Sequence, residues 1–348
     1  MRIVITGNMG YVGPVVAAHF RECFPDAELI GFDSALFAQC LTTPDAFPER
    51  VLDRQVFGDV REFPADLLTN TDAVVHLAAL SNDPIGVRFE KQTDEINNIA
   101  SIRIAAAAAK AGVSSFVFAS SCSVYGMAEG GPRKESDTLL PLTAYAKSKI
   151  ATEQGLKQLA APSMTITCLR FATACGQAPR LRLDLVLNDF VATALATGQI
   201  NVLSDGSPWR PLIDVEDMAR AMEWAATRRG ANGDRFLAIN AGRDDHNYQV
   251  VDLAEAVADA IPGTTVSINR DALPDLRSYR VDFGLFAKTA PDHQPQVSLS
   301  RSIERLIEGL NAAVQDHHQV LPSRTKRLAV LEKLIDTGRI SDDVRWLN

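Results

Sequence analysis

An α/β fold, with a doubly wound open parallel sheet and a smaller mixed α/β lobe beside it, follows from two features of the 348-residue sequence. In the first half, short β-branched runs alternate with alanine-rich helical stretches: "RIVITG", "VVAAHFRECF", "AELIGFD", "AVVHLAA", "IRIAAAAAKAG", "SSFVFASS" and "TITCLRFA". Near-continuous apolar strands separated by helices are what a parallel sheet covered on both faces requires. After about Phe171 the rhythm loosens into segments rich in Pro, Arg and Asp, broken by the helical stretches "DLVLNDFVATALATG" and "VEDMARAMEWAATRR". Residues 1–172 are therefore expected to form one domain, rejoined by parts of 211–242. Residues 173–348 should form mainly the second lobe and a tail, "RLAVLEKLIDTGRISDDVRWLN", that reads as an amphipathic helix with an extension.

Composition narrows the function. With 46% hydrophobic and 22% charged residues the chain is ordinary for a globular protein. A net charge of −8 gives no field that attracts nucleic acid or an anionic membrane, so neither is an expected partner. The opening "MRIVITG" is too short for a signal-peptide core and no 18-residue apolar run is present, so a cytoplasmic location is expected. Five cysteines without CxxC spacing argue for free thiols and against a disulfide framework or a structural zinc site, and no metal is expected.

In chain order, the first strand runs into Gly7, Gly10 and Gly13, spaced G-x-x-G-x-x-G at the start of a helix. A tight turn there aims backbone N–H groups at a pyrophosphate, and Pro14 suits the first helical turn. Asp33 ends the next strand, where a carboxylate accepts hydrogen bonds from an adenosine ribose and repels a 2′-phosphate. With no Arg or Lys close behind it, NAD is favoured over NADP in a Rossmann-type site. Asp59 in "FGDV" is either a contact to the adenine edge or a solvated loop acid. His76, in an apolar strand, reads as structural. Ser121 closes the strand "FVFASS", where Ser120, Ser121 and Ser123 are either functional hydroxyls or turn residues. Ser121 lies 24 residues before Tyr145. In "AYAKSK", Tyr145 and Lys149 are four apart and share a helix face, while Lys147 points elsewhere. A phenol titrates near 10, so a neighbouring cation is what makes it useful as a base.

The motifs "TGNMGYVG", "GDV", "VVHLAA", "INNIAS", "SSCSVYG", "YAKSK" and "DGSPWRPLIDVEDMARA" together resemble the extended short-chain dehydrogenase/reductases that act on nucleotide sugars, including the UDP-galactose 4-epimerase-like enzymes. The resemblance covers most of the chain. It implies Tyr145 as acid/base, Lys149 as the residue that holds the nicotinamide ribose and lowers the tyrosine pKa, and Ser121 as partner of the reacting hydroxyl. It also implies cofactor contacts from Asn8, Met9, Tyr11, Val12, Ser34, Val60, Leu77, Ala78, Ala79, Asn97, Ala119, Ser120, Phe171 and Thr173. Arg210 matches the family's phosphate-binding arginine; Arg277 or Arg280 is a second, and Arg180 and Arg182 are further candidates. Ser81, Cys122, Ser123 and Thr173 complete the expected substrate side. Trp209 either stacks on a base or caps the core, and His246 is open.

Two departures shape the expected reaction. Where dehydratases and decarboxylating relatives carry acids after the active-site hydroxyl, this chain has Cys122 and Ser123; where many 4-epimerases carry "RYFN", it reads "RFAT". The expected activity is NAD-dependent epimerisation of a nucleotide-diphosphate sugar through a ketone, by a homodimer. The alternatives are a sugar-nucleotide ketoreductase or dehydrogenase, and a non-catalytic NAD-binding scaffold.

Overall fold

A computed structural model describes residues 1–42, 47–81, 83–126, 130–159, 161, 163–230, 235–272, 278–313 and 324–347. The chain runs β1 (Arg2–Thr6), α1 (Gly13–Cys23), β2 (Glu28–Asp33), β3 (Arg54–Phe57), β4 (Ala73–His76), α2 (Asp83–Arg88), α3 (Glu90–Asp94), α4 (Ser101–Lys110), β5 (Ser115–Ser121), α5 (Ala144–Gln158), β6 (Thr165–Phe171) and β7 (Thr173–Cys175). It continues through α6 (Val186–Thr197), β8 (Gln199–Val202), β9 (Trp209–Asp214), α7 (Val215–Thr227), β10 (Phe236–Ala241), β11 (Asn247–Gln249), α8 (Val250–Ala260) and β12 (Thr265–Ile268). The segments α9 (Gly284–Thr289), α10 (Leu299–Ala313) and a last helix, Arg327–Asp336, follow.

Seven parallel strands form the main sheet in the order β10-β6-β5-β4-β1-β2-β3. The chain winds outward from β1 to β3 and then returns to lay β4 on the other side of β1. That reversal opens a crevice at the carboxyl ends of β1 and β4, where such sheets bind ligands. Register lines those ends up: Thr6 pairs with His76 and Phe32, and Ser121 pairs with Phe171. Successive β1 residues feed opposite faces, as a two-residue period demands: Ile3 and Ile5 join one core cluster with Val16 and Phe20, and Val4 joins the other with Ile30 and Phe116.

Two small sheets, β11-β9-β7 and β12-β8, build the second lobe. Strand β9 passes directly into α7, whose first turn is capped where the Asp214 carboxylate accepts from the Glu216 N–H at 3.0 Å. Helix α7 packs against α1, and β10 extends the main sheet beside β6. The last helix buries Val330, Leu331 and Leu334 in the cluster of Val4 and Ile30, and at its start Arg327 donates to the Arg180 carbonyl at 2.7 Å.

Candidate active site

Helix α5 starts where the Thr143 hydroxyl accepts from the Ala146 N–H at 3.2 Å. From that start the helix stacks Tyr145, Lys149 and Glu153 on one face, with Lys147 exposed. The Lys149 ammonium donates to the carbonyl of Ala119 at 2.7 Å and sits 4.6 Å from the Phe118 ring centroid and 5.4 Å from that of Tyr145. Burial pushes Lys149 down to about 7, with the Glu153 carboxylate pulling the other way. Burial pushes the Tyr145 phenol up to about 12, opposed first by the positive charge of Arg182 and then by a hydrogen bond with Ser121. Arg182 adds a second positive charge near the phenol, while the Lys149 ammonium is held between the Ala119 carbonyl and the rings of Phe118 and Tyr145. Ser121 also caps the turn that follows it, accepting from the Ser123 N–H at 3.1 Å.

Under this triad lies a buried ionic network. Ser120 donates to Glu153 Oε1 at 2.5 Å, and Arg170 grips both Glu153 oxygens, its Nη2 reaching Oε2 at 2.7 Å. Arg170 Nη1 also donates to the Tyr125 hydroxyl at 3.1 Å, which donates to Asn240 Oδ1 at 2.7 Å. Charge-assisted bonds of this kind are short and directional, so they hold the strand end and helix face in register.

These residues open into a cleft of about 730 Å³. At one end stand Gly7, Gly10, Tyr11, Val12 and Gly13 with Asp33, Ser34, Asp59 and Val60; at its middle Leu77, Ala78, Ala79, Ala119, Ser120, Ser121, Tyr145 and Lys149; beyond them Ser81, Ser123, Phe171, Thr173, Arg182 and Arg210. The glycine turn fits a dinucleotide. Gly7 has φ +76°, and a Cβ there would stand 2.6 Å from the Ala78 nitrogen; a Cβ on Gly13 would stand 2.5 Å from the Gly7 carbonyl oxygen. Only glycines allow the turn to lie this close to the β4 end, at the amino end of α1. The Asp33 carboxylate accepts from Met9 N–H at 3.0 Å and Ala35 N–H at 2.7 Å. Burial raises its pKa and these two N–H groups oppose the rise.

Several expected contacts lie off the cleft. Asn8 is buried beneath the turn with its amide on Gln55 at 2.6 Å, and Met9 faces the same interior, because the turn needs a packed floor. Asn97 accepts from Leu80 N–H at 2.8 Å and donates to Leu80 O at 2.9 Å, so it splints the loop after β4 from inside a π-helical turn, Glu95–Ala100. Cys122 turns inward, fully buried, with Sγ 3.1 Å from the Arg170 carbonyl oxygen, and burial raises its thiol pKa. Arg180 is a core residue paired with Glu49 at 2.6 Å. Arg280 stacks on Trp209, its guanidinium carbon 5.1 Å from the ring centroid. Arg277 lies outside the described residues. His76 is structural, hydrogen-bonded to Thr6 Oγ1 at 2.7 Å and Ser101 Oγ at 2.8 Å. His246 is buried, its ring stacked on that of Tyr248.

Others take partners the sequence did not announce. Asp59 lines the cleft, but Arg61 clasps its carboxylate, Nη2 to Oδ2 at 2.6 Å. Burial works against the charged form, and the Arg61 bonds outweigh it to hold the carboxyl below its usual range. Tyr11 donates to the Gly176 carbonyl at 2.5 Å and so ties the glycine turn to the second lobe. Arg182 forks onto Asp184 through two 2.9 Å bonds and donates to the Ser81 hydroxyl at 2.8 Å. Glu153 and Arg170 went unread, although Glu153 continues the four-residue spacing of Tyr145 and Lys149, and Arg170 is a charge inside a seven-residue strand buried throughout.

Comparison with known proteins agrees with this geometry. The profile of the NAD dependent epimerase/dehydratase family matches residues 3–242. A UDP-glucose 4-epimerase of Azospirillum brasilense is 28% identical over 295 residues, covering 76% of this chain and 79% of that protein. A dTDP-glucose 4,6-dehydratase of Streptomyces griseus is 25% identical over 327 residues, covering 91% and 94%. Among solved structures, the UDP-glucose-4-epimerase from Stenotrophomonas maltophila with bound NAD and formylated UDP-arabinopyranose superposes with a TM-score of 0.75 at 23% identity, covering 90% of this chain and 99% of that one. Like them in fold, and matched across both its cofactor turn and its Tyr145–Lys149 helix, the chain belongs to the NAD dependent epimerase/dehydratase family.

Proposed function

We propose that this protein epimerises a UDP-activated sugar through a transient ketone, using NAD held at the glycine turn. The observation that carries the reading is that Ser121, Tyr145 and Lys149 line one cleft that runs from that turn to Arg182 and Arg210. Gly7, Gly10, Gly13 and Asp33 would hold NAD, which would supply a reversible hydride acceptor and a positive charge that favours ionisation of a phenol. Burial keeps the Tyr145 phenol protonated in the free protein. With the cofactor bound, its positive charge together with Lys149 and Arg182 would favour release of that proton to solvent, and the resulting phenolate takes the proton of the sugar hydroxyl as the adjacent C–H bond breaks. Ser121 keeps a hydrogen bond on that oxygen in both states. After the ketone turns over in the cleft, Tyr145 returns the proton to the re-formed hydroxyl. Cys122 points into the core and Ser123 has no carboxyl group, so neither position supplies an acid for elimination.

Residues 1–172 with 215–241 hold the cofactor in this reading, and the elements from β7 to β9 hold the nucleotide diphosphate. Arg210 suits that role because a guanidinium fork matches phosphate oxygens. A cytoplasmic homodimer is the working form expected by family resemblance, and sedimentation of the purified protein tests the dimer. The reaction is tested by incubating the protein with a panel of UDP-sugars. Epimers should form with no net change in reduced-nicotinamide absorbance. Consumption of a keto-sugar with stoichiometric NAD(P)H oxidation, and no epimer from any saturated sugar, would establish a ketoreductase instead.

A further inference from the structure

Away from the cleft, α1 and α7 bring together three metal-ligating side chains, and the 3-10 turn Pro291–His293 adds His293 beside one of them. His19 and Cys23 stand one turn apart on α1 and project from the same face. His19 Nε2 lies 3.5 Å from Cys23 Sγ and 2.8 Å from Glu223 Oε2 on α7. His293 Nε2 lies 3.5 Å from the other carboxylate oxygen, Glu223 Oε1. The ligand atoms of His19, Cys23 and Glu223 all fall within 4.8 Å of one another. Zinc bonds of about 2.0–2.3 Å in a tetrahedron set neighbouring ligand atoms roughly 3.3–3.8 Å apart, so small side-chain shifts bring these donors onto one ion.

Hydrogen bonding accounts for the His19–Glu223 contact by itself, and the thiol, a weak donor, adds only a long contact to His19. A thiolate beside two imidazoles and a carboxylate is instead the donor set that selects a borderline-soft divalent ion over magnesium or calcium. Two anionic and two neutral ligands also balance a divalent charge. The surroundings are close to neutral: Glu22 and Arg220 both act on Cys23, with opposite signs, and Arg220 is held by the Asp292 carbonyl at 3.1 Å. Access is open, since the side chains of His19, Glu223 and His293 keep 20–25% of their surface and Cys23 is the one exposed cysteine of the five.

We propose that His19, Cys23, Glu223 and His293 form a structural zinc site that pins α1 to α7 and to the Pro291–His293 turn. The pin joins the helix that begins at the cofactor's glycine turn to the helix that follows the strand of Arg210, and so holds the two sides of the cleft in register. Burial, with help from Glu223, pushes the Cys23 thiol up to about 11 in the metal-free protein, so binding zinc at neutral pH displaces that proton.

The test is titration of untagged, metal-stripped protein with zinc against a chromophoric chelator, paired with cobalt absorption spectroscopy. One equivalent should bind with a Kd below about 1 μM, modest beside structural zinc in small domains. Cobalt should show a thiolate charge-transfer band and tetrahedral ligand-field bands. Cys23→Ser should abolish the charge-transfer band, and His19→Ala and His293→Ala should each weaken zinc at least about tenfold, the least that losing even an outer-sphere partner costs. NAD binding by the same variants reports that they are folded. Absence of stoichiometric zinc binding, or a cobalt spectrum that survives Cys23→Ser, would overturn the proposal.

Discussion

The indole N–H of Trp346 donates to the carbonyl oxygen of Ser34 at 2.5 Å, fastening the tail to the turn beside Asp33, 312 residues earlier in the chain. Arg61, which clasps Asp59, also donates to the Asp343 and Val344 carbonyls at 2.9 and 3.2 Å, and Val344 lines the cleft. The tail is therefore a wall of the adenosine end. Trp346→Ala, which removes one hydrogen bond worth about 1 kcal/mol, should speed NAD dissociation roughly fivefold in a stopped-flow displacement assay. An unchanged rate would make the tail a packing element only.

In the proposed reading the Asp33 carboxylate, fixed by two backbone N–H groups, sets cofactor choice. NAD should bind at least about tenfold more tightly than NADP, a margin of about 1.4 kcal/mol. Fluorescence titration with both reduced cofactors measures the ratio directly, and parity would count against the assignment.

Tyr145→Phe removes the proton-transfer group and leaves the glycine turn intact. Turnover should fall by at least about a hundredfold, the low end of what a positioned acid/base contributes. NAD affinity should change little. Substantial residual epimerisation would move the chemistry to another residue.

Glu153 and Arg170 are a buried pair, with Ser120 and Tyr125 filling their remaining bonds. Glu153→Gln should cost about 3–5 kcal/mol in denaturant unfolding, because it strands a buried guanidinium charge. A loss below about 1 kcal/mol would show that the network relaxes or admits water.

His76 is held at about 3 by burial, reinforced by the charge of Lys149. Its folded value lies below the unfolded one near 6.5, so the unfolded chain binds the proton first. The contribution of this group to stability is full above about pH 6.5 and declines toward about pH 3, by up to roughly 1.4 kcal/mol per pH unit. A titration of the His76 ring resonances by NMR should show no midpoint near neutrality.

What the sequence by itself determined was everything carried by local pattern. The strand–helix alternation, the glycine turn ahead of α1, Asp33 at the end of β2 and the four-residue spacing of Tyr145 and Lys149 are short-range signals, each set by backbone geometry over a few residues. Tertiary structure alone decided the pairings between residues far apart in the chain. Nothing near Tyr145 in sequence says that Arg182 adds a charge near the phenol, since its place depends on how the second lobe folds over Ser81. Asn8, Asn97 and Cys122 sit inside the right motifs, yet they face inward because a cleft wall needs a packed back as well as a front. The tail's apolar stripe was visible, but its destination was not. An amphipathic helix specifies how much surface it must bury, and only the assembled sheet shows which face is still uncovered.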